Sequence, residues 1–367
     1  MNTEMNYQLS RIKGFLAVIA TIVLIYGMRL AQTVLVPLIL ALFAASVVAY
    51  PMEWLIRKKV PKIIALTLVV VLVIGCIALV GTIVGNSINE FTKKSSVYEN
   101  NLTDWYNQTF LDFDENDLAG QTEIAGVTLR EIIVKVSSIV TPATLMKWST
   151  MILSNLQSMF KNMLLILIAM VFMLIEMDCF KYKLSLLSEA HPETKVSVDK
   201  FFTSLRKYIG NKTLISLGTG IIITIILSAI GLDFALLWGL LAFLLNFIPT
   251  IGSIIAGIPP IILALVQLGP GYALVVLLGY AATNFIIGNI LDPRIMGYSL
   301  GLSTIVVFIS LLFWGWVFGF LGMLLAVPLT MTVKIGLESS KKSKHLALLM
   351  SSNREIMKIK RKREDEQ

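Results

Sequence analysis

Charged residues are scarce in this sequence. Only 15% of its 367 residues are Asp, Glu, Lys or Arg, whereas 56% are hydrophobic and the mean hydropathy is +0.80. A soluble domain carries about 25% charged residues. A bilayer core about 30 Å thick is crossed by about 20 apolar residues in a helix. Because this sequence offers such runs repeatedly, it indicates a polytopic membrane protein.

Residues that bind metals or form disulfides are rare as well. The two cysteines, Cys76 and Cys179, and the two histidines, His191 and His345, lie far apart in the sequence. Neither a disulfide framework nor a metal site is therefore supported. No G-x-x-x-x-G-K-[ST] or H-E-x-x-H motif occurs. We expect no cofactor, no metal, no nucleotide site and no enzymatic activity.

Ten-residue stretches of alternating hydrophobicity, typical of membrane β-barrels, are absent too. In hydrocarbon every backbone polar group must be paired internally, so helices remain. We predict an all-α polytopic integral membrane protein with about eight transmembrane elements, some of them re-entrant hairpins or broken helices. The net charge of +8 comes from lysines and arginines beside apolar runs. Such residues orient a chain in the membrane, and we expect no nucleic acid partner.

Charge also divides the chain into regions. Residues 85–158 contain nine acidic and five basic residues, whereas residues 178–212 contain seven basic and four acidic ones. The positive-inside bias then places both termini in the cytoplasm. The predicted regions are three transmembrane helices in 1–84, an extracytoplasmic (periplasmic) helical insertion in 85–158, a transmembrane helix in 159–177, a cytoplasmic amphipathic linker in 178–212, a transport core with broken helices in 213–336 and a basic cytoplasmic tail in 337–367.

Helix breakers interrupt the long apolar runs. Pro51 is predicted to end the second span. In the transport core, breaks are predicted at Pro249, at Pro259–Pro260, at Gly269–Gly271, at Asp292–Pro293 and around residues 315–322. Several pieces between these breaks are shorter than the roughly 20 residues of a full span. We therefore predict half-helices or hairpins there.

Two breaks also carry polar side chains: NFIPTIGS at residues 246–253 and NILDPRIMG at residues 289–297. Proline removes a backbone donor and frees an upstream carbonyl. The ends of discontinuous helices bind solutes in many transporters. We predict that the transport site lies there. The candidate substrate-binding or gating residues are Asn246, Pro249, Thr250, Gly252, Asn284, Asn289, Asp292, Pro293, Arg294 and Gly297.

Several roles remain open for these residues. An intramembrane Asn either hydrogen-bonds a solute or joins two helices. Asp292 and Arg294 either form an ion pair that stabilises the break or gate a cavity. In a third alternative, Asp292 takes up a proton or a cation. A plain interfacial charge pair is the simpler alternative. Residues 252–259 and 322–328 are also similar to each other, which indicates either two related hairpins or the common reuse of Gly, Ala and Leu in membranes.

Two segments of the sequence resemble a known family. LLWGLLAFLLNFIPTIGSIIAGIPP at 236–260 and NILDPRIMGYSLGLSTIVVFISLLFWGWVFGFLGMLLAVPLT at 289–330 are similar to the autoinducer-2 exporters, also called PerM-like permeases. Asp292 stands where glutamate is usual in that family. The resemblance implies a multi-pass protein of the bacterial inner membrane that exports the quorum-sensing signal autoinducer-2 and thereby influences biofilm formation.

Three functions are compatible with these observations. The first is secondary export of autoinducer-2, a small polar signal molecule, by a gradient or by facilitated diffusion. The second is sodium(lithium)/proton antiport, which the resemblance implies for some relatives. The third is a non-transporting membrane scaffold or regulator that acts through residues 85–158. The alternative role of these residues is that of a helical connector. Membrane lipids and a second copy of the chain, in a homo-oligomer, are the other expected partners.

Overall fold

The computed structural model of the protein describes residues 2–106, 123–124, 127–128, 151, 163–190, 192–249, 251–296, 301–338, 343–353, 355–357, 361 and 364. Almost all of them are helical. Two short antiparallel strands, β1 (Glu123–Ile124) and β2 (Val127–Thr128), pair Glu123 with Thr128 and Ile124 with Val127. Apart from these strands and Met151, the predicted insertion beyond Tyr106 lies outside the described residues, as do residues 339–342, 354, 358–360, 362–363 and 365–367 of the basic tail.

Twelve α-helices and one π-helix are described. They are α1 (Asn2–Leu30), α2 (Gln32–Arg57), α3 (Lys62–Tyr106), α4 (Met163–Ala190), α5 (Pro192–Ile230), α6 (Ala235–Leu245), α7 (Ile251–Leu268), α8 (Pro270–Asn284), the π-helix (Phe285–Leu291), α9 (Asp292–Met296), α10 (Thr304–Leu324), α11 (Ala326–Glu338) and α12 (Lys344–Leu349).

In the part of the chain that the structure describes, six helical segments are long and apolar enough to cross a membrane. They are Gln32–Arg57, Lys62–Lys94, Phe202–Ile230, Ile251–Leu268, Pro270–Leu291 and Thr304–Leu324. Three shorter apolar helices accompany them, at Val18–Leu30, Met163–Met177 and Ala235–Leu245. The predicted all-α polytopic membrane fold is confirmed.

The chain forms two compact units. The first comprises Met1–Val69, Met163–Gly210 and Tyr298–Gln367. In it, α2 packs mainly against α4, and α10 packs against α11. The buried alanines Ala41, Ala45 and Ala49 recur every four residues and so form one stripe of α2. Small side chains at this spacing let two membrane helices approach closely.

The second unit comprises Val70–Asn162 and Asn211–Gly297. In it, α7 packs against both α8 and α6. Helices α5 and α6 cross at Gly220 and Gly239. A Cβ atom added to Gly220 would lie only 2.8 Å from the carbonyl oxygen of Gly239. Glycine at both positions therefore brings α5 against the hairpin of α6 and α7.

Some predicted breaks are real. Helix α6 ends at Leu245 and α7 begins at Ile251, so the chain breaks around Pro249. Another break separates α7 from α8 at Gly269, whose φ of 93° favours glycine. Within α10, Gly319 has φ 66° and ψ −150°, which is a kink in the predicted stretch 315–322. The 11 residues of α6 are too few to span a bilayer.

Other predicted breaks are wrong. Pro51 lies inside α2, and Pro259 and Pro260 lie inside α7. Proline removes one backbone donor, but packing against neighbouring helices maintains such a helix at membrane depth. Pro259 and Pro260 are both buried, in keeping with this explanation. The predicted linker 178–212 is helical in its described part, since α4 continues to Ala190 and α5 begins at Pro192.

Candidate functional site

The first polar break is tied to α5 by a hydrogen bond. Asn246, the residue after α6, donates from Nδ2 to Oγ of Ser216 at 2.9 Å. Ser216 is fully buried. Its hydroxyl accepts this bond, which leaves its proton available for donation to another group. The break at Asn246 therefore faces the buried side of α5.

The second polar segment was wrongly predicted to be a break, since α8, the π-helix and α9 follow one another without interruption. It is tied to the same helix, α5, by an ion pair. Nζ of Lys212 lies 3.2 Å from Oδ2 of Asp292. The Lys212 side chain is 5% exposed and that of Asp292 is 26% exposed. Oδ1 of Asp292 is buried and has no hydrogen-bond partner among the described residues. Removing two charges from water is costly unless all their polar atoms are paired, so this half-paired carboxylate is unusual.

Helix α5 brings the two polar segments together. Lys212 and Ser216 are four residues apart and therefore lie on one face of the helix, about 6 Å apart along its axis. Asp292 contacts the first and Asn246 contacts the second. Polar groups 30 and 80 residues away in the sequence thus converge on one turn of α5.

This turn of α5, which we call the α5 cluster (Lys212, Ser216, Asn246 and Asp292), combines donors with an acceptor. An ammonium group carries three donors, and Lys212 uses one of them on Asp292 within the described residues. The Ser216 proton adds a donor, and Oδ1 of Asp292 is an open acceptor. Because Lys212 and Asp292 neutralise each other, the cluster suits a small neutral solute with several hydroxyl groups.

A π-helix leads into Asp292. It covers Phe285–Leu291, and α9 follows directly. Single π-helical turns in membrane and soluble helices often mark functional sites. Asn211, next to Lys212, donates from Nδ2 to the carbonyl oxygen of Ile295 at 3.0 Å and so holds α9 against α5. The position of Asp292 is therefore fixed from both sides.

The other predicted site residues are less closely connected. Asn284 ends α8 half-buried, and Asn289 is exposed in the π-helix. Neither makes a side-chain hydrogen bond to the rest of the described chain. Pro249 is half-buried in the break, Gly252 is buried at the start of α7, and Pro293 belongs to α9. Thr250 and Gly297 lie outside the described residues.

Arg294 does not pair with Asp292. Its side chain is exposed, and the carboxylate of Asp292 is paired with Lys212 instead. The hypothesis of an Asp292–Arg294 ion pair across Pro293 is therefore corrected. Residues i and i+2 of a helix point to different faces, and Asp292 and Arg294 both belong to α9, which explains why they do not meet.

Two members of the α5 cluster, Lys212 and Ser216, were missed in the sequence. Lys212 stands at the end of a basic stretch and was assigned to the positive charges of the cytoplasmic side. The sequence signal that distinguishes Lys212 is its position directly before an apolar run. Lys212, Ser216 and Gly220 recur every four residues and mark a polar stripe on α5.

A second polar network surrounds Asp233, between α5 and α6. Oδ2 of Asp233 accepts hydrogen bonds from Nζ of Lys94 and from Oη of Tyr98, both at 2.8 Å. The backbone N–H of Asp233 donates to Gln267, whose amide donates to the carbonyl of Gly231. These bonds hold Phe234 in the left-handed region, with φ 59°. For a bulky aromatic residue that conformation is strained.

This network determines the ionisation of its members. Burial disfavours the charged form of Asp233, but the hydrogen bonds from Lys94 and Tyr98 outweigh it and lower its pKa below the ordinary value of 3.8. Burial and then the hydrogen bond to Asp233 raise the pKa of Tyr98 far above its ordinary value. Asp233 is thus a carboxylate and Tyr98 a neutral donor at neutral pH.

Metal-binding clusters were also sought. Among the residues that the structure describes, no group of three or more His, Cys, Asp or Glu side chains is placed to hold a metal ion. Asp292 faces a lysine, which repels a cation.

Comparison with known proteins connects this geometry to transport. The family profile described as "AI-2E family transporter" matches residues 17–342. The AI-2 transport protein TqsA of Escherichia coli K12 is 36% identical over 330 residues, which cover 90% of this chain and 93% of that protein. A putative transport protein of Haemophilus influenzae is 34% identical over 92% of this chain and 96% of its own length. The putative transport protein YhhT of Escherichia coli K12 is 34% identical over 91% of this chain and 92% of its own length.

Proposed function

The chain belongs to the AI-2E transporter family, and we propose that it is a secondary transporter that exports autoinducer-2 across the bacterial inner membrane. The six long apolar helices and the match over residues 17–342 support a multi-pass membrane transporter. One relative, 36% identical, is named an AI-2 transport protein, whereas others are named only putative transport proteins. The exported signal itself is therefore our proposal.

The single observation that carries the proposal is the convergence of the break at Asn246 and the helical segment at Asp292 on α5. A small signal with several hydroxyl groups would donate to Oδ1 of Asp292 and accept from Lys212 and Ser216. Asn246 would hold the Ser216 hydroxyl in place through its 2.9 Å hydrogen bond. Such a site offers directional hydrogen bonds without net charge, which suits a polar but neutral solute.

The remaining candidate residues would control the access of the solute to this site. Pro249, Thr250 and Gly252 shape the break before α7, and Pro293, Arg294 and Gly297 follow Asp292. Asn284 and Asn289 border the π-helix on the path towards Asp292. We assign these residues to gating, because hinges at helix breaks absorb large backbone changes during transport.

One observation favours a second function, sodium(lithium)/proton antiport. The unpaired Oδ1 of Asp292 is a buried acceptor that a proton could occupy. Protonation of Asp292 would break its ion pair with Lys212 and so change the α5 cluster. Lys212 weighs against a cation at the same position, because like charges repel. We therefore rank autoinducer-2 export first.

We also propose the membrane topology, the partners and the energy source of the protein. Both termini would lie in the cytoplasm, as the positive-inside bias of residues 178–212 indicates. We propose that the chain forms a homo-oligomer and that its partners are autoinducer-2 and membrane lipids, with no nucleic acid. Energy would come from an ion gradient, or the solute would diffuse passively, since the sequence has no phosphate-binding loop.

Transport of labelled autoinducer-2 into inverted membrane vesicles tests the proposal. Vesicles that contain the protein should accumulate the signal faster than vesicles that lack it, and Asp292→Asn should abolish the difference. The same vesicles should be loaded with a pH-sensitive dye and exposed to sodium or lithium. Equal signal flux with and without the protein would overturn the proposal. A cation-dependent proton flux that Asp292→Asn removes would instead establish the antiporter.

A further inference from the structure

The segment after α11 folds back onto the chain just before α10. Leu302 and Ser351 form an isolated antiparallel bridge. The N–H of Ser303 donates to the carbonyl of Met350, and the N–H of Ser352 donates to the carbonyl of Gly301, both at 2.9 Å. Residues 343–357, which we call the C-terminal strap, are therefore attached to residues 301–303 by backbone hydrogen bonds.

A buried lysine fixes this attachment. The Lys334 side chain on α11 is only 5% exposed, and its Nζ donates to the carbonyl of Gly301 at 2.8 Å. The same Nζ forms ion pairs with Glu355 of the strap and with Glu338. Gly301 has φ 58°, and a Cβ atom there would lie 2.7 Å from Oε2 of Glu355. The strap thus has one defined position on the first unit.

In that position the strap presents apolar side chains outward. Leu346 and Leu349 lie three residues apart on one face of α12 and are 55% and 78% exposed, whereas Ala347 is buried. Further along, Ile356 and Met357 are 45% and 60% exposed. Large apolar side chains grouped in this way on a polar segment are unfavourable in water and mark an interaction surface.

The charge around these side chains indicates the chemistry of the partner. Residues 339–367 contain nine lysines and arginines against four acidic residues. Five of the nine fall between Lys358 and Arg363, directly after Met357. Lys344 and Arg361 are exposed. Apolar side chains bordered by lysines and arginines are typical of segments that lie at an anionic membrane surface.

We propose that the C-terminal strap, together with the basic residues that follow it, binds the anionic phospholipid surface of the bilayer in which the protein resides. Leu346, Leu349, Ile356 and Met357 would enter the boundary between head groups and acyl chains. The basic residues would bind the phosphate groups. Since Lys334 holds the strap against residues 301–303, lipid binding would also restrain these three residues. The inference does not rest on the identity of the exported solute.

A fluorophore on the strap tests this directly in the full-length protein. Cys76 and Cys179, both exposed, would be replaced by serine, and Leu349→Cys would carry the label. The protein would be placed in nanodiscs of phosphatidylcholine alone or with added phosphatidylglycerol, with bromine on the acyl chains as quencher. We expect at least about threefold stronger quenching with phosphatidylglycerol, because each basic residue near an anionic surface adds to binding.

Salt and charge variants complete the experiment. Raising the salt concentration should reverse the quenching, because the screening length falls from about 10 Å at 0.1 M to about 3 Å at 1 M. Replacing the five basic residues of 358–363 by Gln should remove the phosphatidylglycerol effect. Replacing Glu364, Asp365 and Glu366 by Gln, as the matched control, should strengthen it. Quenching that is equal in both lipid mixtures, or absent from both, would overturn the proposal.

Discussion

Lys212 and Asp292 lie 80 residues apart in the sequence, and Nζ of one is 3.2 Å from Oδ2 of the other. The contact joins α5 to the end of the π-helix, beside a carboxylate oxygen that has no partner among the described residues. An ion pair that is buried but only half satisfied is a poor means of stabilising a fold. We propose that a solute completes it.

Breaking this pair should destabilise the protein. Asp292→Asn leaves the buried ammonium of Lys212 without its carboxylate, and removing one partner of a buried pair costs up to about 3 kcal/mol where one partner is partly exposed. The double variant Lys212→Met/Asp292→Asn should regain most of this loss, because it leaves no unpaired buried charge. Thermal unfolding in detergent measures both effects.

A matched pair is available as a control. Nζ of Lys183 also lies 3.2 Å from a carboxylate, that of Glu176, but both side chains are exposed. Exposed ion pairs contribute about 0–1 kcal/mol. Glu176→Gln should therefore lower the unfolding temperature much less than Asp292→Asn. Equal losses in the two variants would show that burial of the Lys212 pair has no energetic consequence.

Gly252 should tolerate no side chain. A Cβ atom there would lie 1.9 Å from the carbonyl oxygen of Leu245, so Gly252→Ala would force α6 and α7 apart. Gly322→Ala should do the same, because its Cβ atom would lie 1.9 Å from the carbonyl oxygen of Trp314. Gly218→Ala on α5 is the control, since no atom lies within 4 Å of the added Cβ. Yield of folded protein after detergent extraction should fall sharply in the first two variants alone.

The Asp233 network should make the stability of the folded protein depend on pH in the acid range. The pKa of Asp233 is lower in the folded than in the unfolded chain, so folding favours its carboxylate form. Its contribution is complete above the unfolded pKa near 4 and is lost as the pH falls through the lower, folded value. Unfolding temperatures of the wild type and Asp233→Asn should therefore differ at neutral pH and converge as the pH falls through the folded pKa. A difference that persists unchanged at low pH would contradict this assignment.

Ser216 should affect export more than a neighbouring hydroxyl does. Ser216→Ala removes a donor of the α5 cluster and the acceptor of Asn246, and one buried hydrogen bond corresponds to about a 3- to 10-fold change in apparent affinity. Thr219 is also buried on α5, but its hydroxyl donates to the carbonyl of Ile215 in its own helix. Concentration-dependent uptake into inverted vesicles should show a raised KM for Ser216→Ala and little change for Thr219→Val.

Much of this fold could be predicted because its helices are determined by residues that are close together in the sequence. Apolar runs and the prolines of residues 246–253 indicated helices and a break, and the family resemblance at 236–260 and 289–330 is confirmed by the match over residues 17–342. Pro51, Pro259 and Pro260 were wrongly predicted to break helices. Proline alone does not mark a break, because Pro51 is exposed inside α2 whereas Pro259 and Pro260 are buried inside α7. The packing that maintains a helix around a buried proline is not local information.

The α5 cluster was only half predictable for the same reason. Asn246 and Asp292 stood out as polar residues beside prolines. Their partners Ser216 and Lys212 depend on contacts between residues 30 and 80 positions apart, which no periodicity reveals. The similarity of residues 252–259 and 322–328 has a structural counterpart. Gly252 approaches a carbonyl of the preceding helix, and Gly322 approaches a carbonyl of α10 on the other side of the kink at Gly319.

Equilibrium binding of labelled autoinducer-2 to the purified protein tests the central claim, that the α5 cluster holds the solute. The wild type, Ser216→Ala, Asp292→Asn and the control Glu176→Gln should be compared in one detergent at one pH. We expect saturable binding by the wild type and Glu176→Gln, with affinity at least about tenfold weaker in Asp292→Asn, where a charge-assisted hydrogen bond is lost. Binding of equal affinity in all four proteins would contradict the claim.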